Sequence, residues 1–152
     1  MSKEEIKVLF EQLENSQNKY TYFILAFSAS AIALVMKQTS TAVFSYSLIP
    51  LGVAILFWGA SFFAGCKNIH YKNSHMHANI EYLRIIQGTH PQVGNDHQYI
   101  SIAAEGINRA MNTNSKRANI FSIWQFRLAL YGGLSYIVWH LTEMTIRSFN
   151  IN

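Results

Sequence analysis

Between Tyr20 and Cys66 only one residue, Lys37, carries a formal charge. The runs on either side of it, residues 20–36 and 38–66, are seventeen and twenty-nine residues long. In hydrocarbon a segment must satisfy its own backbone N–H and C=O groups, so uncharged runs of this length read as membrane-spanning helices. Residues 20–36 form the first expected span. As a helix they rise about 25 Å, slightly less than a ~30 Å hydrocarbon core. The flanking Lys19 and Lys37 can snorkel to the headgroups and make up the difference.

The second run is longer than one crossing needs. Residues 46–66 are expected to span, with Pro50 in the first turn, where its missing N–H costs nothing. Residues 37–45 are left as a short external turn. Both spans carry small residues four apart: Ala26 with Ser30, Ala29 with Ala33, Ala60 with Ala64 and Ser61 with Gly65. Such rows let helix backbones approach closely and suit self-association. Trp58 falls near the middle of its span, which predicts a place inside a bundle.

A third span is expected over residues 120–146. Gln125, Arg127, His140 and Glu143 interrupt it, but Trp124 and Trp139 lie about 22 Å apart along a helix, the separation of two interfacial belts. Before the first span, residues 2–18 read as an amphipathic helix. Ser2 and Glu5 have capping-box spacing, and Ile6, Leu9, Phe10 and Leu13 recur at helical intervals. Four glutamates (Glu4, Glu5, Glu11, Glu14) occupy what would be the basic region of a secretory signal, so no signal peptide is expected.

Residues 67–119 are polar and divide at the Gly-, Pro- and Asn-rich stretch 88–97. Met76, Ile80, Leu83 and Ile86 or Ile85 form one apolar row before it. Ile100, Ala103, Ile107 and Ala110 or Met111 form another after it. The helix of the second span is expected to continue out of the membrane through residues 74–87, and the two arms to form a cytosolic helical hairpin between spans two and three. The fold class is thus all-α: one membrane domain over 1–152, with three transmembrane helices, an N-terminal amphipathic helix and the hairpin.

Charge sets the orientation. Lys3, Lys7 and Lys19, with Lys67, Lys72, Arg84, Arg109, Lys116 and Arg117, place nine cations on one side, against Lys37 and Arg147 on the other. Cytoplasmic segments carry the excess of Lys and Arg. The N-terminus and residues 67–119 are therefore expected in the cytoplasm and the C-terminus outside, at the cell (inner) membrane. The net charge of +4 is read as this bias, and no direct nucleic-acid binding is expected. Cys66 is the only cysteine, so neither an internal disulfide nor a Cys-based zinc site can form.

Polar residues within a span are costly and draw attention first. Arg127, Gln125, His140 and Glu143 are the candidate pore-lining groups. Arg84, Arg109, Lys116 and Arg117 are candidate contacts for a phosphate-bearing ligand, whether anionic lipid or nucleotide. Six histidines show no metal-ligand pattern, and no metal or cofactor is expected. Arg84 and His90 have the R-x5-H spacing of HEPN-type ribonucleases, but Ile85 stands where a supporting polar residue usually follows the Arg. No phosphate loop, nucleophile elbow or acidic catalytic pair is present, so no enzyme is expected. The leading expectation is a homo-oligomeric effector that conducts ions or disturbs the membrane, gated through its basic cytosolic loop. Its rival is a non-conducting anchor, immunity-type or accessory protein that recruits a protein partner through residues 67–119.

Overall fold

In the computed structural model the described residues are 3–41, 45–93 and 97–149. They form three α-helices: α1 (Lys3–Gln38), α2 (Ile49–Ile86) and α3 (His97–Phe149). A single 3-10 turn, Tyr46–Leu48, leads into α2.

This architecture corrects the expected fold in three places. No separate amphipathic helix exists, because α1 runs unbroken from Lys3 to Gln38. The chain has no Gly or Pro before Pro50, so nothing ends a helix between residues 18 and 20. Ser2 and the side chains of Ile6 and Phe10 lie outside the described residues, while Val8, Leu9 and Leu13 are exposed. The hairpin is not a separate element either: its first arm is the second half of α2, the continuation expected of that helix, and its second arm is the first half of α3, which runs on into residues 120–146 without a break. Finally, among the described residues only two segments, Glu11–Gln38 and Tyr46–Ile86, are long and apolar enough to cross a membrane. Residues 120–146 are too polar to join them, and they belong to the 53-residue α3.

Helix ends follow local chemistry. Glu4 and Glu5 in the first turn of α1 and Lys37 in the last complement the helix dipole. Thr39 closes α1, with its N–H and Oγ1 both donating to the Val35 carbonyl (3.0 and 2.9 Å). Ser45, extended at φ −135° and ψ 154°, precedes the 3-10 turn, and Pro50 occupies the first turn of α2. At the far end of α2, Gly88 takes φ 68°. The Gly88 N–H donates to Ile85 and the Thr89 N–H to Arg84, both at 3.0 Å. This is a Schellman closure, which requires the left-handed conformation that glycine adopts without a Cβ penalty.

The chain divides into two compact units, Met1–Gly65 with Trp124–Asn152, and Cys66–Ile123. In the first, Val35, Leu51, Ala54 and Trp58 form a buried cluster, with Tyr136 and Trp139 packed against it. Trp58 is inside the bundle, as its mid-span position implies. In the second, Tyr71 stacks on Phe121 with ring centroids 5.6 Å apart, and the His75 Nδ1–H donates to the Met111 carbonyl at 3.0 Å. The inward row of the α3 arm includes Ile100, Ala103, Ile107 and Met111, as expected, whereas Ala110 is exposed. The α2 arm differs. Asn68, Tyr71, His75 and Ile85 face inward, and Met76, Ile80, Leu83 and Ile86 are exposed. Aromatic stacking and the His75 bond fix the rotation of this arm and leave its apolar row outside.

Candidate functional site

Gln125 and Arg127, two residues apart on α3, are rotated about 200° from one another. Only one of them faces the interior. Gln125 is 1% exposed, and its side-chain amide donates to the Thr21 carbonyl at 3.1 Å. On the same level Ser28 Oγ donates to Ser61 Oγ (3.3 Å), and Ser61 Oγ donates to the Gln125 backbone carbonyl (2.7 Å). Thr21, Ser28 and Ser61 are buried as well. These bonds tie α1, α2 and α3 into one polar clasp inside an otherwise apolar bundle. One turn further, Trp58 Nε1 donates to the Ala129 carbonyl at 3.3 Å.

Two glycines allow this closeness. A Cβ on Gly65 would stand 2.5 Å from Gln125 Nε2, and one on Gly132 would stand 2.6 Å from the Trp58 ring. Small residues at a seam are how helices approach closely where lipid is the solvent. Of the small rows read from the sequence, Ser61 and Gly65 serve this seam. Ala26, Ala29, Ser30 and Ala33 on α1 face outward.

Arg127 is exposed on the outside of the bundle. Its guanidinium lies 5.8 Å from the centroid of the Trp124 ring, and no carboxylate pairs with it among the described residues. Its depth is set by its neighbours. It lies between Gln125, bonded by Ser61, and Ala129, bonded by Trp58. Ser61 is five residues inside the uncharged run that ends at Cys66, about 7 Å along the helix.

His140 and Glu143 stand at the other end of the same unit. The His140 ring stacks on Tyr136 (centroids 6.5 Å, 9° between planes), and Glu143 pairs with Arg147 at 3.2 Å. With Gln38, Tyr136 and Trp139 they line a cleft of about 310 Å³. Neither the cleft nor the clasp was legible beforehand, because each joins residues distant in sequence. Ser28, Ser61 and Gln125 as polar groups in apolar runs were the available signal for the clasp.

The four basic candidates on residues 67–119 are not brought together. Arg84 pairs with Glu81 at 2.9 Å, and Glu81 also holds His90 at 3.4 Å. The R-x5-H pair thus converges on one carboxylate beside the Gly88 turn. Arg109 pairs with Glu105 at 2.6 Å. Lys116 is exposed, and Arg117 lies over Tyr71 at 5.6 Å. Tyr71 is thirteen residues from Arg84 on α2, roughly 20 Å along the helix, so these cations form no single pocket. Among the described residues no three His, Cys, Asp or Glu side chains are grouped to hold a metal ion. No family model, curated protein or solved structure matches the chain.

Proposed function

We propose that the chain is an integral protein of the cell (inner) membrane that associates with copies of itself and conducts ions, or perturbs the bilayer, along a seam between those copies. The observation that carries this reading is Arg127, an exposed guanidinium level with Ser61 and Trp58 and with no carboxylate paired to it among the described residues. A guanidinium against lipid costs about 2.5–3.5 kcal/mol at the centre of a span and less toward its end, so contact with protein or water favours Arg127. The interior of its own bundle is filled by the Val35–Leu51–Ala54–Trp58 cluster and the Gln125 clasp. A polar path therefore has to run between protomers. The outward small rows of α1 (Ala26 with Ser30, Ala29 with Ala33) offer a surface for close helix approach. With α1 and α2 as spans, the nine Lys and Arg of the N-terminal segment and residues 67–119 stand against Lys37 alone between the spans, a bias that favours a cytoplasmic place for both segments.

The test is reconstitution. Purified protein in liposomes is expected to form a discrete oligomer and to release an encapsulated ion, and Arg127→Leu is expected to change that flux while leaving insertion intact. A monomeric protein without flux sinks the conducting reading.

A second reading rests on a different observation. The exposed row Met76, Ile80 and Leu83 on α2, with Tyr99 and Ile102 exposed on α3, offers an apolar surface to a protein partner. In this reading the chain is a membrane anchor or accessory subunit and conducts nothing. Recovery of one stoichiometric partner that is lost on Ile80→Asp, together with absence of flux, distinguishes it.

A further inference from the structure

The cleft at the Gln38 end of the first unit carries both signs of charge and an aromatic wall. Gln38 is the last residue of α1 and of its apolar segment, so the cleft opens where that segment meets the polar boundary. Tyr136 Oη donates to Gln38 Oε1 at 3.4 Å. The Tyr136 ring lies 5.5 Å from Trp139 and stacks on His140. Glu143 lies one turn on, its side chain 26% exposed, and its Arg147 partner is 74% exposed. The Trp139 indole N–H has no acceptor among the described residues. Met144 also lines the cleft, and with Ile137 and Leu141 it is exposed on α3.

We propose that this cleft binds the headgroup of a zwitterionic phospholipid, an ammonium joined to a phosphodiester. Cations are held by aromatic faces and by carboxylates. Tyr136, Trp139 and Glu143 line the cleft and supply both. Arginine is suited to a phosphate oxygen, which it can grip with two N–H groups. Arg147, a turn beyond Glu143, supplies it. The ligand's two charges enter in the order in which the helix presents their complements, and the Glu143–Arg147 pair exchanges one mutual contact for two ligand contacts. An acyl chain then lies along Ile137, Leu141 and Met144. A cleft of about 310 Å³ falls at the small end of ligand sites, ~300–1,000 Å³, suited to a headgroup and too small for a whole lipid.

This inference rests on the membrane reading, and the experiment separates the two. Purified full-length protein is mixed with equal amounts of dioleoyl phosphatidylethanolamine and dioleoyl phosphatidylglycerol, and retained lipid is counted by native mass spectrometry. The expected preference for the ethanolamine lipid is about tenfold, the size of one well-placed ionic contact. Glu143→Gln is expected to abolish the preference while helicity by circular dichroism is unchanged. Tyr136→Leu, which removes a ring and no charge, is expected to weaken it, and Lys116→Gln to leave it alone. Equal retention of the two lipids, or an intact preference in Glu143→Gln, overturns the proposal. Displacement of the lipid by free phosphoethanolamine at equal concentration also overturns it, because the ligand is then a soluble one. Extraction of the chain from membranes by carbonate overturns both readings; membrane retention with headgroup-blind binding overturns this one alone.

Discussion

The side-chain amide of Gln125 meets the backbone carbonyl of Thr21 at 3.1 Å, across 104 positions of sequence. Through Ser61 and Ser28 the same level of the bundle is bonded twice more. Gln125 was a candidate for a water-filled path, and it serves instead to join the three helices. Arg127, two residues on, faces the opposite way and carries the functional argument.

Removing the clasp is expected to weaken the bundle. Gln125→Ala deletes a buried hydrogen bond and leaves a void, at a cost of about 1–3 kcal/mol. Thermal unfolding in detergent is the measurement, and a midpoint equal to that of the unmutated protein would show that the clasp contributes nothing.

Two adjacent glycines on α3 are expected to behave oppositely. A Cβ at Gly132 would meet the Trp58 ring at 2.6 Å, whereas one at Gly133 meets nothing within 4 Å. Gly132→Val should destabilise by about 1–3 kcal/mol through overpacking. Gly133→Ala should be neutral, or stabilising by up to ~1 kcal/mol from helix propensity. Parallel melts of the two variants read the contrast directly.

Arg127→Leu should leave secondary structure unchanged, since the side chain is exposed and joins no ion pair among the described residues. Ion flux from liposomes should change at least severalfold. Crosslinking through Ala33→Cys, with Cys66→Ser to remove the native thiol, should trap dimers if the outward small row of α1 meets its counterpart. Failure to crosslink at any residue of that row would place self-association elsewhere.

Gly88 is expected to tolerate no side chain without cost. At φ 68° an alanine incurs about 1–2 kcal/mol of left-handed strain. Hydrogen exchange at the Gly88 and Thr89 amides, which close the last turn of α2, should accelerate in Gly88→Ala while the Trp58 region stays protected. Uniform acceleration throughout would mean that this turn supports the whole chain.

Much of the helix content was legible in one dimension. Uncharged length marked α1 and the first half of α2, and the Gly–Pro–Asn punctuation marked the end of α2 and the start of α3. The excess of helical elements in the expectation had one cause. Changes of polarity at residues 18–20 and 119–120 were read as breaks, although neither contains the Pro or Gly that breaks a helix. The outward rotation of Met76, Ile80 and Leu83 was hidden for another reason. The α2 arm is oriented by Tyr71 on Phe121 and His75 on the Met111 carbonyl, contacts with a partner that a single helix does not reveal.

Sequence alone determined that this chain is helical and that two of its segments are long and apolar enough for a bilayer, because those properties depend on local composition and backbone satisfaction. Tertiary structure decided which polar residues are structural and which stay available. Gln125 and Arg127 look equivalent in sequence, but a helix turns about 100° per residue, so packing buried one against Thr21 and left the other outside.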